Sequence, residues 1–227
     1  MIKKGKIFVI EGTDASGKET QANLIVARLN SEGISSEVMS FPRYDTPTGN
    51  LLRRYLGKQP YTQEFGPSNN VNPKIASCLY AVDRYASIKD MEAIVSKGNN
   101  LFLNRYVESN MGHQGGKIAD KDERSNFVSW LEELEYGNFG LPRPDKVFFL
   151  YMPLEVAIEL RKGRVGEADG HESNPSHLRN AEQSYLELSE RFNWTRVDCA
   201  PDKTLSSLRK REDISEEIYE HVINSLF

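Results

Sequence analysis

Residues 11–20 read EGTDASGKET and follow the short apolar run KIFVI at 6–10. Gly12, Gly17 and Lys18 meet every position of the pattern G-x-x-x-x-G-K-[ST] except the last, where Glu19 stands in place of a hydroxyl residue. Thr13, Asp14, Ala15 and Ser16 fill the span between the glycines, and Thr20 follows. Such a loop can cradle a phosphate, because free amides at a helix start and the positive end of the helix dipole both favour an anion. Lys18 would then reach a phosphoryl group in transfer. The same residues also suit an ordinary strand-to-helix turn with a solvated lysine. Glu19 has two readings as well: a carboxylate in the first helical turn complements the dipole, or it helps to hold magnesium.

The loop needs a strand before it and a helix after it. The run at 6–10 supplies the strand, and Ala22, Ile25, Val26 and Leu29 recur at helical spacing up to a stop at Gly33. Further strands are expected at 36–41, 100–104 and 146–152. Helical patterns lie near 48–57, 74–97, 124–136, 153–163, 176–192 and 213–226. This alternation indicates an α/β fold of three layers, a parallel sheet covered by helices. The stretch GRVGEADGHESNP at 163–175 is polar and rich in glycine, which predicts a mobile loop between two helices. No repeat or interdomain linker is evident, so one domain over 1–227 is expected.

Composition narrows the partners. Of 227 residues, 38% are hydrophobic and 27% charged, which suits a folded chain with a real core. A net charge of -4 and a pI near 5.7 give no general attraction to nucleic acid or to an anionic membrane. The basic cluster Arg209 to Arg211 is followed by Glu212 and Asp213 and reads as a solvated helix face. Cys78 and Cys199 lack metal-ligand spacing and read as packing residues in a reducing compartment. The apolar run from Ile7 to Ile10 is too short for a signal peptide or a membrane span, so a cytoplasmic location is expected.

Six segments, FVIEGTDASGKETQ, FPRYDTPTG, SCLYAVDRY, NRYVESNMGHQGG, LPRPDKVFFL and RKGRVGEADGHE, occur in the order and approximate spacing of the thymidylate kinase family, which the chain resembles from residue 7 to about 198. The resemblance implies a P-loop kinase fold with a flexible lid at about 161–175, usually a homodimer. It also implies ATP-dependent transfer of a phosphoryl group to dTMP, with Mg2+ accompanying the ATP. By motif, Gly12 to Thr20 would take ATP, with Lys18 on its phosphates, while the counterpart of Asp14 contacts the acceptor's 3'-hydroxyl. Tyr80 would stack on thymine and Arg84 would hydrogen-bond a base carbonyl. Arg105 would neutralise the acceptor phosphate beneath the segment carrying Arg43 and Tyr44. Ser109 and Asn110 fall where family members contact the base. Arg161, Lys162 and Arg164 are the lid cations, of which Arg161 and Arg164 are taken as catalytic.

Three positions depart from the family pattern. Glu19 replaces Ser or Thr, Asn104 replaces an aspartate that helps to organise magnesium, and His113 replaces Tyr or Phe near the sugar's 2' position. The first two suggest compensation, with Glu19 restoring the charge that Asn104 gives up. The third makes exclusion of ribonucleotides less secure than base choice. Three rival readings remain on the sequence. A GTP-dependent switch lacks N-K-x-D and D-x-x-G motifs. A deoxynucleoside kinase would not need Arg105 and FPRY for its neutral acceptor. A catalytically impaired nucleotide-binding homologue would explain Glu19 and Asn104 together.

Overall fold

The computed structural model describes residues 4–162 and 175–227. In chain order they form β1 (Ile7–Gly12), α1 (Lys18–Ser31), β2 (Ser36–Ser40), α2 (Pro47–Leu56), α3 (Pro73–Tyr85) and α4 (Ile88–Ser96). Then come β3 (Asn100–Asn104), α5 (Val107–His113), α6 (Lys121–Glu132) continued by a π turn (Glu133–Asn138), and β4 (Lys146–Tyr151). The chain closes with α7 (Leu154–Lys162), α8 (Pro175–Arg191), β5 (Thr195–Asp198) and α9 (Arg211–Leu226). Arg164 and positions 163–174 of the expected lid lie outside the described residues.

The sheet is fully parallel in the order β2-β3-β1-β4-β5. Its central strands β1, β3 and β4 are buried on both faces, as a covered parallel sheet requires, and the two faces separate by residue parity. Phe8, Ile10, Phe102, Phe148 and Leu150 pack with Ala22, Ile25 and Leu29 of α1 and with Ile214, Ile218 and Val222 of α9. Ile7, Val9, Leu101, Leu103 and Val147 face Met91 and Val95 of α4 and Phe127, Val128 and Leu131 of α6. This is the expected three-layer architecture. The connection from β1 runs toward β2 and that from β3 toward β4, on opposite sides, which opens a crevice at the carboxyl ends of β1 and β3.

The structure changes three details of the sequence reading. The helix expected over 74–97 is two helices, broken at Ala86 and Ser87, where the Ser87 amide bonds the Arg84 carbonyl three residues back. The strand β5 was not foreseen, because TRVD holds a single apolar residue, Val197. The helix α5 was not foreseen either, since seven residues that include Gly112 are too few to show a period.

Candidate active site

The phosphate loop is held in place at both ends. A Cβ on Gly12 would sit 2.4 Å from the Leu150 carbonyl oxygen and 2.6 Å from Ser16 Oγ, so only glycine fits there. Gly17, at φ 79, starts α1 from the left-handed region, and Ala15 shares that region at φ 60. Thr13 Oγ1 donates to the Met152 carbonyl at 2.7 Å and accepts from the Met152 amide at 2.9 Å, tying the loop to the end of β4. Lys18 is buried and lies across the loop, with Nζ donating to the carbonyls of Gly12 (3.0 Å) and Thr13 (2.9 Å). Burial, and then the nearby Arg105 charge, pull its pKa down to about 8. Ser16 is buried, whereas Glu19 and Thr20 are exposed.

Asp14 connects this loop to the rest of the crevice. Its carboxylate meets Arg161 Nη2 at 2.8 Å and Arg105 Nη2 at 3.6 Å. Burial alone would raise its pKa, but His113, Lys18, Arg105 and Arg161 outweigh burial and hold the carboxyl well below the usual range. Arg105 stands just past β3 at φ 66 and places Nη1 3.2 Å from His113 Nε2. The His113 ring stacks on His177 of α8, with centroids 5.8 Å apart, and meets Tyr185 edge-on at 5.5 Å.

Beside the loop lies a cavity of about 340 Å³. Asp14, Glu19, Tyr44, Tyr80, Arg84, Asn104, Arg105, Ser109, Asn110 and His113 all border it. The structure therefore gathers the expected acceptor residues around one space, with Arg43 as the exception. The Arg43 guanidinium turns to Asp90 (2.7 Å) and Ser87 Oγ (3.1 Å), while its amide donates to Asp83. Lys162 pairs with Glu159 and not with the site. Glu19 borders the cavity near Asn104, whose Nδ2 donates to Ser40 Oγ and whose Oδ1 is buried without a hydrogen-bond partner.

Four contributors were missed from the sequence. Glu135, fully buried on the π turn, clasps Arg84 with Nε–Oε2 at 2.5 Å and Nη2–Oε1 at 2.7 Å, while Arg84 Nη1 donates to the Tyr106 carbonyl at 3.1 Å. Asn110 Nδ2 donates to the same Glu135 at 3.1 Å. An inserted π turn re-aims side chains, and nothing in the local pattern announces one. Gln114, 1% exposed, lines the cavity with Oε1 lacking a partner, and only its place beside His113 hinted at a role. Asp83 is buried and accepts from the Arg43 amide at 2.8 Å and Thr48 Oγ1 at 2.9 Å, which fixes the FPRY segment onto α3. Glu11 is buried where β1 ends, and an acid closing an apolar strand is itself a readable signal.

The sequence model of the thymidylate kinase family matches residues 10–207. A thymidylate kinase of Danio rerio is 28% identical over 219 residues, covering 95% of this chain and 92% of its own. That of Homo sapiens is 29% identical over 203 residues, covering 87% and 84%. The solved structure of thymidylate kinase from Candida albicans superposes with a TM-score of 0.74 at 22% identity, over 97% of this chain and 92% of that one, which shows a shared fold. With a parallel sheet whose crevice joins a phosphate loop to an arginine-floored cavity, and with a family match over most of its length, the chain belongs to the thymidylate kinase family, the kinases that phosphorylate dTMP from ATP.

Proposed function

We propose that the loop from Gly12 to Thr20 takes the phosphates of ATP and that the adjoining cavity takes dTMP, with Arg105 against the acceptor phosphate. The observation that carries this reading is the position of Arg105. It lies in the wall of the cavity and 3.6 Å from Asp14 of the phosphate loop, so donor and acceptor groups would meet there. Tyr80 offers a ring to the base, while the two remaining N–H groups of Arg84, the Asn110 side chain and the unpartnered Gln114 Oε1 offer edge contacts. Asp14 and His113 border the sugar position, and Tyr44 covers the phosphate together with the segment from Arg43.

In the transfer, an oxygen of the acceptor phosphate attacks the terminal phosphorus of ATP and the bond to the ADP oxygen breaks. The second ionisation of a phosphate monoester lies near pH 6, so the acceptor is its own nucleophile at neutral pH and needs no general base. Asp14 fits that scheme, because a carboxyl held well below its ordinary range is a poor base and a good anchor for Arg161 and Arg105. Lys18, Arg105 and Arg161 would share the charge that develops on the equatorial oxygens, with Arg164 of the lid as a fourth candidate.

Among the described residues, no group of three or more His, Cys, Asp or Glu is arranged to hold a metal ion. The residues present fit magnesium brought in with ATP. Glu19 supplies a carboxylate at the cavity rim and Asn104 Oδ1 a buried oxygen in want of a partner, and magnesium accepts a few protein oxygens while keeping several waters. Bound there, the ion would neutralise charge on the phosphates. The proposal extends to one domain over 1–227, a lid at about 161–175, a cytoplasmic enzyme and a homodimer. Among the described residues no helix is long and apolar enough to cross a membrane. Ile75, Val82 and Tyr85 stand exposed along one face of α3, a row suited to a second copy, and a monomeric mass by light scattering would refute the dimer.

ADP release from Mg-ATP with dTMP, dUMP, UMP, dCMP and thymidine as parallel acceptors tests the main reading. It expects turnover with dTMP and little with thymidine, and it fails if thymidine serves as well as dTMP.

A further inference from the structure

Glu11, the next-to-last residue of β1, has no exposed surface and does not line the cavity. Its carboxylate joins three elements. Oε1 accepts from the Tyr106 amide at 2.9 Å and from Ser109 Oγ at 2.6 Å, while Oε2 accepts from the Tyr185 hydroxyl of α8 at 3.0 Å. Tyr106 directly follows Arg105, whose φ of 66 is one that a residue with a side chain keeps only when its surroundings fix it. Two bonds do so here, the Arg105 amide to the Ile10 carbonyl at 3.2 Å and the Tyr106 amide to Glu11.

The Tyr185 end of the network is equally fixed. Its ring lies parallel to Phe149 with centroids 5.5 Å apart, and it fills the space over Gly112, where a Cβ would come within 2.4 Å of the ring. The same ring meets the edge of His113, which contacts the Arg105 guanidinium. Glu11 therefore acts on Arg105 from both sides, through the backbone turn and through Tyr185 and His113. Its charge also favours the charged forms of Lys18 and Arg105.

We propose that Glu11 is a positioning residue for the acceptor phosphate, holding the Arg105 turn, Ser109 and Tyr185 in one arrangement before dTMP arrives. The inference rests on Arg105 being the acceptor-phosphate contact. A competing role, charge balance alone, makes the opposite forecast, because deleting a negative charge beside two cations would tighten phosphate binding.

The test measures kcat, KM for dTMP, KM for ATP and the thermal midpoint in Glu11→Gln, Tyr185→Phe and Arg105→Ala. Positioning expects Glu11→Gln to raise KM for dTMP by about tenfold or more, the scale of a charge-assisted hydrogen bond, with KM for ATP nearly constant. Tyr185→Phe keeps the charge and loses one donor, so it moves KM for dTMP the same way by about threefold. It also serves if Glu11→Gln does not fold. An unchanged or lower KM for dTMP, or equal rises for both substrates, overturns the inference. If Arg105→Ala leaves dTMP kinetics intact, it is the site reading that has failed.

Discussion

Removing the Glu135 carboxylate should cost this protein more than removing any surface charge. The Arg84 and Glu135 side chains are 2% and 0% exposed and meet through two bonds of 2.5 and 2.7 Å, with Asn110 donating to the same carboxylate at 3.1 Å. Taking away one partner of such a pair leaves a charge buried without compensation, at roughly 3 to 5 kcal/mol. For a chain of this size each kcal/mol moves the thermal midpoint by about 2 to 4 °C, so Glu135→Ala should lower it by roughly 6 to 20 °C. The double variant Arg84→Met with Glu135→Leu replaces the pair by apolar volume and should regain most of that loss. It should not regain dTMP affinity, since the arginine lining the cavity is gone. Circular-dichroism melts and initial-rate kinetics on both variants are the assays. A midpoint within about 2 °C of the parent for Glu135→Ala would refute the burial argument, and a double variant with normal KM for dTMP would refute the role of Arg84 in the base site.

Other predictions concern titration and metal. Lys18, with its pKa lowered to about 8, contributes stability that is present above its ordinary 10.5 and lost as pH falls through 8. Activity needs the protonated form, so kcat/KM for ATP should fall above about pH 8, and a flat profile to pH 9.5 would count against the burial effect. Burial pushes the Glu108 carboxyl up to about 7 from 4.5, even though Tyr136 donates to it at 2.8 Å. Its stabilising contribution is complete below 4.5 and lost as pH rises through 7, so Glu108→Gln should gain up to roughly 3 kcal/mol at pH 8 and nearly none at pH 4. Urea melts at the two pH values check this, and equal effects at both would refute it. Glu19→Gln should raise the magnesium concentration needed for half-maximal rate severalfold while leaving nucleotide affinity nearly unchanged. An unchanged magnesium titration would show that Glu19 only caps α1.

Much of this was legible in the sequence because it lay in short contiguous motifs. The strand, glycine turn and Lys18 sit within fourteen residues, and Arg105, Ser109, Asn110 and His113 sit within nine, so their order along the chain already groups them. What was hidden depends on elements far apart in sequence. Glu135 reaches Arg84 across 51 positions and Tyr185 reaches Glu11 across 174, and both are brought in by packing that no local period encodes. Arg43 shows the converse. Its motif places it over the acceptor, yet its guanidinium finds Asp90 of α4 and Ser87 just before that helix, an element the sequence reading had fused with α3. The strand β5 escaped because a four-residue edge strand with one buried side chain carries almost no pattern.

The most direct test of the central claim is the amount of dTDP formed from dTMP and ATP by the parent chain and by Arg105→Ala at equal protein concentration. Steady dTDP formation in the parent and a fall in kcat/KM for dTMP of about a hundredfold or more in the variant are the expected results. No dTDP from the parent, or equal rates in the two, would contradict the account.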